Sequence, residues 1–138
     1  MSRKIKDVAG VLKYMRGRTS FDRVLEKVKI LSIGDGTCFA ELKLEDEHVN
    51  SMGVLHSGLA TTLVDCISGY ALMTKIPNAH VSIDIHFSFT KKILKGDTIL
   101  IDGWVNKFGK TMAFLEVEMR DKASGETVIK GTHSKYIL

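Results

Sequence analysis

The segment from Ser57 to Thr74 constrains the fold more than any other part of the chain. It holds no proline, carries a single charge at Asp65, shows no two-residue alternation and is rich in Leu, Ala, Thr and Met. A run of this kind reads as a helix, and apolar residues on most of its sides mean that it must be covered on most sides. Burial of Leu59, Leu63, Val64, Ile67, Leu72 and Met73 contributes roughly 1.5–3 kcal/mol each, so this helix anchors the core. With 138 residues, one proline and no linker, repeat or low-complexity stretch, the chain 1–138 reads as one domain, and its other elements must supply that cover.

Most of those elements are strands. Val81, Ile83, Ile85, Phe87 and Phe89 alternate with Ser82, Asp84, His86 and Ser88, the strongest period-two signal in the chain. Val24–Ile33 and Thr37–Leu44 form a predicted hairpin around Gly34-Asp35-Gly36, and Thr98–Asn106, Met112–Arg120 and Glu126–Ile137 follow as a meander with Gly-containing turns. Ile5, Val8, Leu12 and Met15 mark a short amphipathic helix ending near Gly17. One apolar helix among about six antiparallel strands packs economically only if the curved sheet wraps it, the α+β arrangement called the hotdog fold.

Composition narrows the function. The formal charge of +4 is mild and scattered, unlike a nucleic-acid stripe, and suits an anionic small ligand. The longest nearly uncharged segment, Val49–Thr74, is interrupted by Asn50, His56 and Asp65 and lacks the flanks of a membrane span. Cys38 and Cys66 sit unpaired in apolar runs and read as packing thiols in a reducing compartment. The cytoplasm is the expectation, with a mitochondrial presequence the alternative raised by Arg3, Lys4, Lys6, Lys13, Arg16 and Arg18 near the N-terminus.

Asp65 works against the stability of an apolar helix, because a carboxylate withdrawn from water without partners costs several kcal/mol. Just ahead of the helix, Asn50 and the run Leu55-His56-Ser57-Gly58 offer an amide, an imidazole and free backbone N–H groups at the positive end of the helix dipole. Such an end holds anions, and the N–H groups of Ser57 and Gly58 are candidates to hold a developing oxyanion. A plain capping role for Ser57 and His56, and an exposed or lysine-paired Asp65, are the alternatives.

The chain resembles the hotdog-fold acyl-coenzyme A thioesterases over nearly its whole length: Phe21-Asp-Arg-Val-Leu, Glu47-His-Val-Asn50, Leu55-His56-Ser57-Gly58, Thr62-Leu-Val-Asp65, Val81-Ser82-Ile-Asp84, Gly109-Lys110-Thr111 and His133. The resemblance implies hydrolysis of a fatty or aryl acyl-coenzyme A to free acid and coenzyme A, without a cofactor. It implies a site of Asn50, His56, the backbone of Ser57, Asp65 and Ser82. Asp65 would activate water or attack, Ser82 would orient Asp65, and position 57 would polarise the carbonyl. Coenzyme A contacts are expected at Asp84, Phe89, Thr90, Lys91, Lys92, Lys107, Phe108, Gly109, Lys110, Thr111 and Tyr136, the four lysines clustering around two turns to meet its phosphates. Two departures stand out: the family usually reads His-Gly-Gly where this chain has His56-Ser57-Gly58, and an aromatic followed by proline where this chain has Phe89-Thr90-Lys91-Lys92.

Weaker constellations are set aside. Gly109-Lys110-Thr111 lacks the earlier glycine of a phosphate loop, since Trp104 stands there, and His80, Asp84 and His86 on one strand face follow no metal-site spacing, so no metal is expected. The rival functions are a hydratase of the same fold, a noncatalytic acyl-coenzyme A binder and a nucleic-acid scaffold. The last is disfavoured if Trp104 and most phenylalanines lie in strand cores. Assembly follows from the long strand: if Ser82 faces the helix, Val81, Ile83, Ile85, Phe87 and Phe89 face outward and call for a homotetramer, a dimer of dimers paired along this strand with the site shared between chains. If the apolar face covers the helix instead, Ser82 points away and a dimer suffices.

Overall fold

The computed structural model describes residues 4–15 and 19–138. The helix end expected near Gly17, and Arg3, Arg16 and Arg18, lie outside the described residues. Helix α1 spans Val8–Met15. Ile5 donates its N–H to the Met73 carbonyl (2.8 Å), and Ile5 and Val11 are buried, so this segment docks on the core as an amphipathic stripe should. The strand predicted to begin at Val24 starts later. Phe21–Leu25 is a 3-10 turn, with Val28 N–H bonded to the Leu25 carbonyl, and β1 covers only Lys29–Gly34. Local i→i+3 bonds and the burial of Leu25 satisfy there what a ladder would otherwise supply.

Strand β2 (Thr37–Lys43) follows a two-residue turn in which Asp35 (φ 49°) and Gly36 (φ 77°) are both left-handed, as a tight hairpin demands. Helix α2 spans Ser57–Met73 with Thr74 as its C-cap, matching the predicted segment. β3 (His80–Phe89), β4 (Thr98–Phe108), β5 (Met112–Asp121) and β6 (Thr127–Ile137) complete one antiparallel sheet of order β1-β2-β4-β5-β6-β3. The inner residues of β2, β4 and β5 alternate buried with half-buried or exposed and close over α2, whose Leu63, Val64, Ile67, Ala71 and Leu72 are fully buried. This is the hotdog architecture.

A bulge in β3 resolves the question of which face Ser82 occupies. The register against β6 slips between Ser82, opposite Lys135, and Asp84, opposite Ser134. One extra residue at Ile83 reverses the alternation. Ser82 therefore faces the helix together with Ile85, Phe87 and Phe89, which lie opposite the buried His133, Gly131 and Ile129, while Asp84, His86 and Ser88 face outward. Both sequence alternatives assumed unbroken alternation, and both are corrected: only Val81 and Ile83, each about half exposed, remain of the expected outward stripe. The bulge also parts His80 from Asp84 and His86, and among the described residues no cluster of His, Cys, Asp or Glu is arranged for a metal.

Trp104 and most of the phenylalanines are not in the core, contrary to expectation, and Tyr70 is the buried aromatic among the described residues. Phe21, Phe89, Phe108 and Phe114 are exposed, Phe39 and Phe87 are half-buried, and Trp104 lies on the outer face with its indole donating to Glu116 Oε2 (3.2 Å). The interior is aliphatic because sheet and helix approach closely. A Cβ on Gly103 would stand 3.1 Å from both Ile67 Cγ2 and the Ser68 nitrogen. Gly103→Val is therefore expected to overpack this contact and cost roughly 1–3 kcal/mol, read as a lower urea midpoint with unchanged m-value.

Candidate functional site

The predicted site residues fall into two groups along α2. At its start, Asn50 closes a turn in which Oδ1 accepts the N–H groups of Met52 (2.9 Å) and Val54 (3.1 Å). That commits the amide oxygen and leaves the exposed Nδ2 as a donor. His56, not Ser57, is the N-cap: its Nδ1 accepts the Gly58 N–H at 2.8 Å. The Gly58 N–H expected to hold an oxyanion is thus already engaged, and the Ser57 N–H is the donor left at the helix end. Asn50 and Ser57 line a groove of about 460 Å³ with Val54, Leu55, Phe89, Thr90, Lys91 and Lys92, so this group of candidates does converge within one chain. Lys91 is ion-paired with Glu126.

The second group surrounds Asp65. Its side chain is 45% exposed, so the carboxylate sits at the edge of the core rather than inside it, and burial still pushes its pKa above the usual carboxylate range. Ser82 does not hydrogen-bond Asp65. Its Oγ is 2.7 Å from His133 Nε2, and His133 Nε2 is 3.8 Å from Asp65 Oδ1. On the other side of the ring, Nδ1 is 2.8 Å from Ser68 Oγ, whose hydroxyl donates to the Val64 carbonyl (2.5 Å). The network assigns the tautomer: Nδ1–H donates to Ser68, and Ser82 donates to Nε2. Burial, with the nearby Lys135 ammonium, lowers the His133 pKa to about 4, so the ring is neutral at neutral pH. Beside it lie Lys135, only 6% exposed, and His80, whose ring nitrogens are both buried without a hydrogen-bond partner.

The two groups are far apart in one chain. At about 1.5 Å per residue, Ser57 and Asp65 stand roughly 12 Å apart along the helix. The remaining coenzyme A candidates occupy the far end of the sheet: Lys107 and Phe108 end β4 and Gly109, Lys110 and Thr111 form the turn to β5, next to Tyr136, which pairs with Met112. From Ile129, opposite Phe89, to Tyr136 is roughly 23 Å at about 3.3 Å per residue, so the expected four-lysine cluster does not exist within one chain. Asp84 is exposed on the outer face. Burial pushes the thiols of Cys38 and Cys66 up to about 12, so both keep their protons at neutral pH.

Sequence reading did not place Ser68, Lys135 or His80 in this site, and noted His133 only as part of a resemblance. The available signal was polar residues at inward strand positions, His133 and Lys135 alternating with Thr132, Ser134 and Tyr136, and it is visible only once the facing of β6 is known.

The comparisons agree with this architecture. The Thioesterase superfamily profile matches residues 52–128. The human acyl-coenzyme A thioesterase 13 is 37% identical over 99% of both chains. The crystal structure of zebrafish thioesterase superfamily member 2 superposes with a TM-score of 0.91 at 36% identity, covering 97% of this chain and 99% of that one. The mouse thioesterase superfamily member 2 gives 0.87 at 37% identity, covering 94% and 96%. A helix wrapped by an antiparallel sheet, with a carboxylate and a separate donor cluster along it, defines a hotdog-fold enzyme class. This chain belongs to the thioesterase superfamily within that class.

The buried imidazoles make stability pH-dependent. His133 and His80 both have folded pKa values near 4, against about 6.5 unfolded, so the unfolded chain binds more protons between these values. The contribution of these two groups is full above pH 6.5 and is lost as the pH drops toward 4. His133→Asn should flatten that dependence in urea titrations run across this range, with His80 leaving a residual slope.

Proposed function

We propose that this chain hydrolyses acyl-coenzyme A thioesters, with the thioester carbonyl held by the Ser57 N–H and Asn50 Nδ2 of one chain and attacked under the direction of Asp65 from a second. Family membership and the likeness to relatives named acyl-coenzyme A thioesterase support the substrate class. The observation that carries the shared site is the 12 Å gap, since reacting atoms and their activating groups must lie within about 3–3.5 Å. A second copy closes it. β3 is an edge strand, and α2 runs antiparallel to it, with Ser57 beside Phe89 and Asp65 near Ser82. Antiparallel pairing of β3 with its own copy, about a two-fold axis near its middle, brings the Asn50–Ser57 end of one chain onto the Asp65–Ser82 end of the other and removes the open edge. The same operation sets Lys91 and Lys92 toward the partner's 107–111 turn, where the phosphates of coenzyme A meet charge from both chains. Val81, Ile83, Phe114 and Tyr136, exposed on or beside the outer face, support a further pairing into a dimer of dimers.

In the ground state the donors polarise the carbonyl. In the tetrahedral state they hold the oxyanion where its charge develops. Asp65, its pKa raised by burial, is a better proton acceptor than an ordinary carboxylate, whether it deprotonates water or attacks the carbonyl itself. Ser82 and His133 wall the carboxylate without neutralising it.

Asp65→Asn should lower thiol release from an acyl-coenzyme A panel by roughly 10²- to 10⁴-fold with the fold intact. A variant keeping more than about a tenth of the wild-type rate would remove Asp65 from the mechanism. Mixing Asp65→Asn chains with Asn50→Ala chains should restore activity in one of the two sites of each hybrid dimer, and no recovery would refute the shared site. Lys92→Glu and Lys110→Glu should raise KM while kcat stays constant, because distant phosphate contacts bind ground state and transition state alike.

A further inference from the structure

Lys135 is a buried lysine in a fold that offers little reason for one. It lies on the inner face of β6 opposite Ser82, is 6% exposed, and has no carboxylate oxygen within 4.0 Å among the described residues. Lysine is almost never buried unless its charge is answered, so the cost of holding it there calls for a compensating charge. Its surroundings identify one. A Cβ built on Gly69 would meet a single neighbour within 4 Å, the Lys135 Nζ at 3.9 Å. Gly69 is one helical turn after Asp65 and shares its face, where side chains four residues apart stand about 5–6 Å from one another. The missing side chain at Gly69 thus leaves room for the ammonium beside the turn that carries the carboxylate.

We propose that Lys135 is the positioning residue of the Asp65 carboxylate: its ammonium, seated over Gly69, is the counter-charge that keeps Asp65 ionised as the site closes around a substrate. This rests on the reading of Asp65 as base or nucleophile. Two opposed influences act on Asp65, burial favouring its neutral acid and the Lys135 charge favouring the carboxylate, with Asp22 of the 3-10 turn opposing the lysine. The coupling is mutual, since burial lowers the Lys135 pKa and Asp65 and Cys66 hold it up. The other titratable groups facing this pocket cannot substitute. His133 and His80 are neutral near pH 7, Cys66 and Tyr70 keep their protons because burial raises both, and Asp84, an anion on the outer face of β3, acts on His133 from outside the pocket. Lys135 is the one cation among them. Acting across more than 4 Å, it leaves the carboxylate oxygens free for water or the acyl carbon, which a direct ion pair would block.

The test is an NMR titration of the 13C-labelled Asp65 carboxyl in wild type and Lys135→Met, alongside the pH dependence of kcat/KM with an acyl-coenzyme A. The Asp65 midpoint should rise by about one pH unit in Lys135→Met, a tenfold change in its ionisation ratio, and the acid limb of kcat/KM should move with it. An unmoved midpoint would overturn the proposal. A midpoint that rises while the acid limb stays in place would uphold the counter-charge and refute Asp65 as the reacting group. If Lys135→Met fails to fold, the reciprocal variant decides. Asp65→Asn must lower the titration midpoint of the Lys135 ammonium by the same amount, and an unchanged lysine would overturn the proposal.

Discussion

The packing of α2 into the sheet is the contact on which everything else depends. The helix can approach as closely as it does because Gly103 stands where a side chain would crowd Ile67 and Ser68, and because the surrounding layer is largely aliphatic. Close packing fixes the helix lengthwise as well as laterally. Its first turn is then held beside Asn50 and the end of β3, and its third beside His133 and the start of β3. The helix acts as a spacer between a donor cluster and a carboxylate, and its rise per residue makes each half of the site incomplete alone.

The neighbourhood of Asp65 shows how a charged group is kept at the edge of an apolar core. Its side chain is half-exposed, so the full penalty of burial is avoided, yet it is walled by a neutral histidine whose two nitrogens are engaged by Ser68 and Ser82. A neutral His133 neither protonates nor neutralises the carboxylate. The polar groups beneath it form a connected set, with the two nitrogens of His80 as the unsatisfied exception. Unpaired buried nitrogens beside an open sheet edge mark the place where the described chain is least self-sufficient.

The β3 bulge connects sheet geometry to chemistry. An unbroken strand must choose between covering the helix with Ile85, Phe87 and Phe89 and turning Ser82 inward. A single extra residue at Ile83 lets one strand do both, moving Asp84 and His86 to the outer face. The same strand remains one of the two edges of the sheet.

The sequence by itself determined the elements, apart from the start of β1, where a 3-10 turn replaces the strand expected from Val24. An apolar run with one charge can only be a buried helix, strict alternation can only be a strand, and Asp35-Gly36 can only be a tight turn, because each follows from local backbone preference and periodicity. It also singled out Asp65 and the polar residues ahead of the helix, since a charge in an apolar stripe and a donor-rich helix start are visible in one dimension. Tertiary structure decided the rest. The bulge is invisible in β3, where hydrophobic alternation runs straight through Ile83, and depends on the ladder with β6. The choice of His56 as cap and the engagement of the Gly58 N–H depend on a rotamer. The opposite placement of Lys91 and Lys110 depends on strand order. Lys135 and His133 became neighbours of Asp65 only when a strand near the C-terminus folded over a helix near the middle of the chain. Long-range pairing of that kind leaves no local period for a sequence to display.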